Sequence, residues 1–130
     1  MATEAQRLLE RVVLLVDDED VVRRITARIL AGAGFRVLEA HDGEQAATLL
    51  ATLGTNAVGL VVSDIRMPGM SGIELAAVVS ERWPTLPVLL VSGQGGPPAG
   101  YPVPFLPKPF LPERLLAAVH DLLRATADAV

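Results

Sequence analysis

Four apolar runs in this chain stop on residues that carry a charge or a hydroxyl. Val12–Val16 runs into Asp17 and Asp18, and Val58–Ser63 runs into Asp64. Pro87–Val91 runs into Ser92, and Val103–Pro107 runs into Lys108, the only lysine in the sequence. Short runs that are apolar on both faces, separated by helical patterns, read as strands of a parallel sheet covered on both sides. Parallel strands bring their carboxyl ends to one edge, and ligands of open α/β sheets bind outside that edge. The reading therefore gathers three carboxylates, a hydroxyl and an ammonium in one place, a set that suits a divalent cation and a phosphoryl group.

The segments between the runs support this order. A helix is predicted from Glu19 to about Ala31, with Val22, Ile25, Ile29 and Leu30 inward and Arg23, Arg24 and Arg28 on the other side. Gly32 and Gly34 end it, and a second strand covers Phe35–Ala40. Asp42 is positioned to cap a helix from Glu44 to about Leu53, which Gly54 breaks. The third strand is read as Ala57–Ser63. Ser71 and Glu74 stand at capping-box spacing before a helix that ends at about Arg82, ahead of Pro84. The fourth strand is read as Val88–Val91 and the fifth as Val103–Leu106. The last helix begins at Pro112 and runs to about Arg124, with Leu111 where a polar cap is usual. Between the fourth and fifth strands, eight of the twelve residues of Gly93–Pro104 are Gly or Pro, so no ordinary helix is expected there. The result is one doubly wound α/β domain over residues 11–126, with a lead-in at 1–10 and a tail at 127–130.

Composition narrows the function. The 130 residues suffice for one core, 51% of them are hydrophobic, and five are aromatic, so the core is aliphatic. A net charge of −4 argues against nucleic acid as the main partner. Without cysteine there is neither a disulfide framework nor a thiolate metal site. Glu4, Arg7, Glu10 and Arg11 interrupt the start, so it does not read as a signal peptide, and no uncharged stretch is long enough to span a membrane. The expectation is a soluble cytoplasmic protein.

Each candidate residue also has an ordinary reading. Asp17 and Asp18 alone would serve as caps of the first helix. With Asp64 at the matching end of another strand, three carboxylates repel one another unless a cation joins them or some are protonated. Mg²⁺ takes oxygen ligands, keeps its waters and works with phosphates. Lys108 would make a simple ion pair, yet the other ten basic residues are all arginine, and the two are not interchangeable at a phosphate. Ser92 would bond locally to backbone, or donate to a phosphoryl oxygen. His41 and His120 have no ligand partners at metal-binding spacing and read as surface or boundary residues. Tyr101 reads as a loop anchor.

LLVDDE (Leu14–Glu19), DIRMPGMSG (Asp64–Gly72), LLVSG (Leu89–Gly93) and FLPKPF (Phe105–Phe110), in that order, resemble the receiver domain of two-component response regulators. The resemblance implies a flavodoxin-like sheet of order 2-1-3-4-5. It implies that Asp64 accepts a phosphoryl group from the phosphohistidine of a histidine kinase or phosphotransfer protein. It implies that Asp17, Asp18, Asp64 and the backbone carbonyl of Arg66 hold Mg²⁺, that Ser92 and Lys108 contact the phosphoryl oxygens, that Phe105 is the switch aromatic, and that the Lys108–Pro109 bond is cis. A stand-alone regulator and a receiver of a hybrid histidine kinase both fit.

The chain departs from the family in two places. Receivers carry a helix between strands four and five, and here it is expected to be missing or reduced. Arg66 stands at the pocket entrance, where it is expected to alter the lifetime of the phospho-form. Three other readings stay open at this point: a degenerate receiver that only binds proteins, a Mg²⁺-dependent phosphatase of the haloacid-dehalogenase type, and a flavodoxin-like cofactor binder. The phosphatase class wants Asp-x-Asp on the first strand, where Asp17 is followed two residues on by Glu19. The cofactor binder wants a hydroxyl-rich phosphate loop, where this chain has acids.

Overall fold

A computed structural model describes Thr3 and residues 11–128, with side chains through residue 125. Apart from Thr3, the predicted lead-in lies outside the described residues, as do the last two residues of the predicted tail. The elements are β1 (Val12–Val16), α1 (Asp20–Gly32), β2 (Arg36–Ala40), α2 (Gly43–Ala57), β3 (Val58–Asp64), α3 (Gly72–Arg82), β4 (Val88–Ser92), β5 (Phe105–Pro107) and α4 (Pro112–Asp128). The strands form one sheet in the order β2-β1-β3-β4-β5, and every pairing is parallel.

Alternation along the central strands builds two cores. Val13 and Leu15 of β1, with Leu60 and Val62 of β3, face Leu30 of α1 and Leu115, Val119 and Leu123 of α4. Leu14 and Val16, with Val58 and Val61, face Ala46 and Leu50 of α2 and Leu75, Ala76 and Val79 of α3. All seven residues of β3 and all five of β4 are buried, as strands covered on both faces must be. Chain order reverses between β1 and β3, so the switch-point crevice opens beyond Asp17 and Asp64.

The caps follow the sequence. Asp42 accepts from the Gln45 amide, and Ser71 and Glu74 form the reciprocal capping box. Gly54 breaks α2 at φ 70°, ψ −179°, a backbone region open essentially to glycine alone. At the start of α4 the Leu111 carbonyl accepts from the Arg114 and Leu115 amides.

Three expectations are corrected. Ile25 of α1 is 55% exposed rather than inward; Thr26 and Leu30 are the buried residues of that helix. Arg23, expected outside, is only 12% exposed at its side chain. The fifth strand starts at Phe105 rather than Val103: Pro104 contributes only its carbonyl, which accepts from Leu90, because proline has no amide hydrogen to donate.

No helix lies between β4 and β5. Residues 93–104 instead form a strap, with positive φ at Gly95 and Gly100 (89° and 79°). Tyr101 anchors it, packing on the α2–α3 core while its hydroxyl donates to the Ile73 carbonyl at 3.5 Å. The Lys108–Pro109 peptide is cis. Among the described residues no helix is long and apolar enough to cross a membrane.

Candidate phosphoryl and cation site

Asp17 follows β1 and is held at every polar group. Its amide donates to the Ala40 carbonyl at 3.1 Å. Oδ1 accepts from the Glu19 amide at 2.9 Å, Oδ2 from Lys108 Nζ at 3.2 Å, and the backbone carbonyl from Arg23 Nη1 at 2.8 Å. Asp64 is the last residue of β3, and the Ile65 amide beside it donates to Val91 at 3.0 Å. A β-carbon at Gly72 would fall on the Asp64 carbonyl, so α3 approaches the site this closely only with glycine there. Asp17 and Asp64 are buried at 3% and 7% exposure, and Asp18 is the more open member of the trio.

One oxygen from each of Asp17, Asp18 and Asp64 lies within 4.8 Å of the others. Lys108 leans in from the end of β5, its Nζ 3.2 Å from Asp17 and 3.4 Å from Asp64. Burial pushes the Asp64 carboxyl above its ordinary value; the Lys108 charge opposes this and the Asp17 charge adds to it. Burial alone would lower the Lys108 ammonium, but the charges of Asp17 and Asp64 more than reverse that and hold it above its ordinary value. Lys108 therefore supplies the charge that lets two buried carboxylates share the site. Three carboxylates against one ammonium still leave an excess of negative charge on hard oxygen donors, which fits a small divalent cation.

Ser92 closes β4 at 2% exposure, and its Oγ accepts from the Gln94 amide at 3.1 Å. The Ser92 carbonyl accepts from the Lys108 amide at 2.9 Å, which ties the two strand ends together. Asp64, Ser92 and Lys108 line a cleft of about 280 Å³ with Glu19, Val22, Arg66, Gly93 and Gln94. Arg66 bridges its mouth, with Nε donating to the Gln94 carbonyl at 3.2 Å. Phe105 is half-buried against the α2–α3 core, its ring so close to Gly96 that a β-carbon there would meet Cε2 at 2.8 Å. The structure thus brings together Asp17, Asp18, Asp64, Ser92, Lys108 and Arg66, while Phe105 is not among the residues that line the cleft. His41 lies in the turn before α2, 60% exposed and 3.1 Å from Asp42, and His120 packs edge-on to Phe35; neither lines the cleft.

Two supporting residues were missed by sequence reasoning. Arg23 reaches the Asp17 carbonyl, Asp20 and Glu39. Its signal was the spacing it shares with Thr26 and Leu30, three and seven residues on. Glu44 accepts from the Met70 amide at 3.1 Å, holding the loop after β3 from the first turn of α2, and no local pattern announces that contact.

A parallel five-stranded sheet with acids at its β1/β3 switch point and a lysine after β5 is the arrangement of a receiver-type α/β domain. The chain belongs to the response regulator receiver domain family of two-component systems, whose model matches residues 13–120. It is 38% identical over 117 residues to the sensor kinase CckA of Brucella abortus, covering 85% of this chain and 12% of that protein. It is 37% identical over 81 residues to the DNA-binding transcriptional regulator NtrC of Salmonella typhimurium, covering 62% and 17%. A crystal structure of the receiver domain of the hybrid histidine kinase CckA superposes with a TM-score of 0.73 at 38% identity, over 86% of this chain and 98% of that one. The chain thus spans under a fifth of the length of these curated relatives.

Proposed function

We propose that Asp64 is the phosphoacceptor. An Asp64 carboxylate oxygen attacks the phosphorus of a phosphohistidine, the phosphorus–nitrogen bond breaks, and the imidazole leaves with a proton taken from solvent. The convergence of Asp17, Asp18 and Asp64 oxygens beside the Lys108 ammonium carries this reading. A carboxylate nucleophile needs no general base, and phosphoryl transfer is helped mainly by positioning and charge neutralisation.

Asp17, Asp18, Asp64 and the Arg66 carbonyl would hold Mg²⁺. When bound, the cation neutralises charge on the phosphoryl oxygens. Lys108 offsets the charge that remains, and its restraint by the Ser92 carbonyl keeps it aimed at Asp64. Ser92 Oγ accepts from the Gln94 amide and turns its own O–H to donate to the phosphoryl group, which draws the strap inward and moves Phe105 off Gly96. The signal is then a shift in population between two strap positions.

The donor is a histidine kinase or histidine phosphotransfer protein. An apolar groove of about 440 Å³ formed by Val22, Ile25, Ile29, Pro109 and Phe110 adjoins Lys108 and suits such a partner. Residues 11–126 act as the functional unit, flanked by the extension at 1–10 and the tail at 127–130, and the site works in the cytoplasm. Slow autophosphatase activity, governed by Arg66 at the cleft mouth, ends the signal.

Intact mass after incubation with acetyl phosphate tests this reading, in wild type and Asp64→Asn, with and without Mg²⁺. One phosphoryl adduct that requires both Asp64 and Mg²⁺ is expected. A folded, Mg²⁺-binding protein that takes no adduct, and no beryllofluoride either, would instead be an interaction-only receiver.

A further inference from the structure

Arg23 spends its whole guanidinium on three acceptors around the end of β1. Nη1 donates to the Asp17 carbonyl at 2.8 Å, Nη2 lies 2.9 Å from Asp20, and Nε lies 3.0 Å from Glu39 at the end of β2. With 12% of its side chain exposed, it is the most enclosed partner of these ion pairs, against 68% for Asp20 and 40% for Glu39. Arginine's rigid fork of donors permits this simultaneous grip, and lysine's single ammonium does not.

The Asp17 carbonyl belongs to the peptide unit that joins Asp17 to Asp18. A peptide unit is planar, so fixing its oxygen fixes the plane that carries the Asp18 Cα. The units on either side are held as well: the Asp17 amide, in the Val16–Asp17 unit, bonds to Ala40, and the Glu19 amide, in the Asp18–Glu19 unit, bonds to the Asp17 carboxylate. Asp18 is the most open of the three carboxylates and, among the described contacts, has no hydrogen bond or ion pair of its own. Its direction therefore depends on the backbone that bears it.

We propose that Arg23 is a positioning residue for the cation site, aiming the Asp17–Asp18 acid pair through the Asp17 carbonyl. This rests on the reading of Asp17, Asp18 and Asp64 as the cation ligands. Groups behind the ligands commonly set affinity by factors of ten or more.

Two roles for Arg23 predict opposite signs. If it acted only through charge, its removal would lessen repulsion of the cation and tighten binding. If it positions the acids, its removal weakens binding although a positive charge has left. The test is calorimetric titration of the metal-free full chain with Mg²⁺, for wild type, Arg23→Ala, Arg23→Lys and Glu39→Gln. Folding of each is checked by thermal unfolding. We expect Arg23→Ala to raise the Kd about tenfold. Arg23→Lys keeps the charge but not the fork, and is expected to recover little of that loss. Glu39→Gln keeps an acceptor for Nε and leaves the Asp17 carbonyl bond in place, so it is expected to bind nearly as wild type. Unchanged or tighter binding in Arg23→Ala overturns the proposal, and so does full recovery in Arg23→Lys, which shows that the three-way grip of the guanidinium is not needed. If Arg23→Ala does not fold, Arg23→Lys decides alone: weakened binding supports positioning and wild-type binding refutes it. Absence of Mg²⁺ binding in the wild type would overturn the cation site itself, an outcome distinct from unaffected variants.

Discussion

The two halves of the site share one sheet edge but are held in different ways. The acid half is anchored at its two buried members: Asp17 has a partner at its amide, its carbonyl and both carboxylate oxygens, and Asp64 ends a strand with no exposed residue. The strap half hangs from single contacts. Arg66 meets the Gln94 carbonyl, Ser92 meets the Gln94 amide, Tyr101 meets the Ile73 carbonyl, and Phe105 rests on Gly96. Rigid placement suits residues that hold charge, and loosely held segments are the ones that change on binding. The difference implies that chemistry stays with the acids and that movement belongs to the strap.

Glycine substitutions on the two sides should part most widely. At Gly72 the added β-carbon meets the Asp64 backbone, which cannot turn aside, so Gly72→Ala is expected to cost about 3 kcal/mol. At Gly96 it meets only the Phe105 ring, which can rotate, so Gly96→Ala is expected to cost about 1 kcal/mol or less. Urea unfolding of both variants checks the ordering, and equal losses would erase the distinction.

Lys108→Ala comes next. It strands two buried carboxylates, and a loss of about 2 kcal/mol is expected in metal-free protein at neutral pH. Saturating Mg²⁺ should shrink that loss, because a cation again faces the acids. A loss that Mg²⁺ leaves untouched would mean that the lysine acts through packing.

The pH dependence is smaller and carries a definite sign. Burial raises Asp64 in the folded state above the ordinary aspartate value of about 3.9, so the folded protein binds that proton more tightly than the unfolded chain. The stability linked to Asp64 is therefore greatest with the group protonated and falls as pH rises from the ordinary value through the folded one. Metal-free Asp64→Asn should be more stable than wild type at neutral pH, by a margin that narrows toward pH 4. Unfolding midpoints across that range decide, and a margin that widens on acidification would contradict the assignment. The smallest change is expected for Arg66→Ala, which opens the cleft mouth to water: the adduct should hydrolyse faster, by about threefold, an effect of under 1 kcal/mol. An unchanged lifetime would remove Arg66 from the reaction.

Most of the architecture was legible because four of the five strands repeat one message, an apolar run with a polar stop; the edge strand β2, with Arg36 and Glu39, does not. Asp17, Asp64, Ser92 and Lys108 were legible for the same reason, since parallel strands align their stops. The missing helix was legible from the Gly and Pro content of residues 93–104. The inward face of α1 was not. Val21, Val22, Ile25, Thr26 and Leu30 allow more than one apolar stripe, and the angle at which the helix docks chooses among them. The true face includes Arg23, whose burial makes sense only once Glu39 arrives from β2. The start of β5 was misplaced because its apolar residues continue back through Pro104, where pairing through the amide cannot.

Amide hydrogen exchange with and without Mg²⁺ and beryllofluoride tests most directly whether movement belongs to the strap. Exchange is expected to change within residues 92–105, while β1, β3 and the first turn of α1 keep their protection. Changes concentrated at the β1–α1 turn with a silent strap would contradict the division between a fixed acid half and a moving strap.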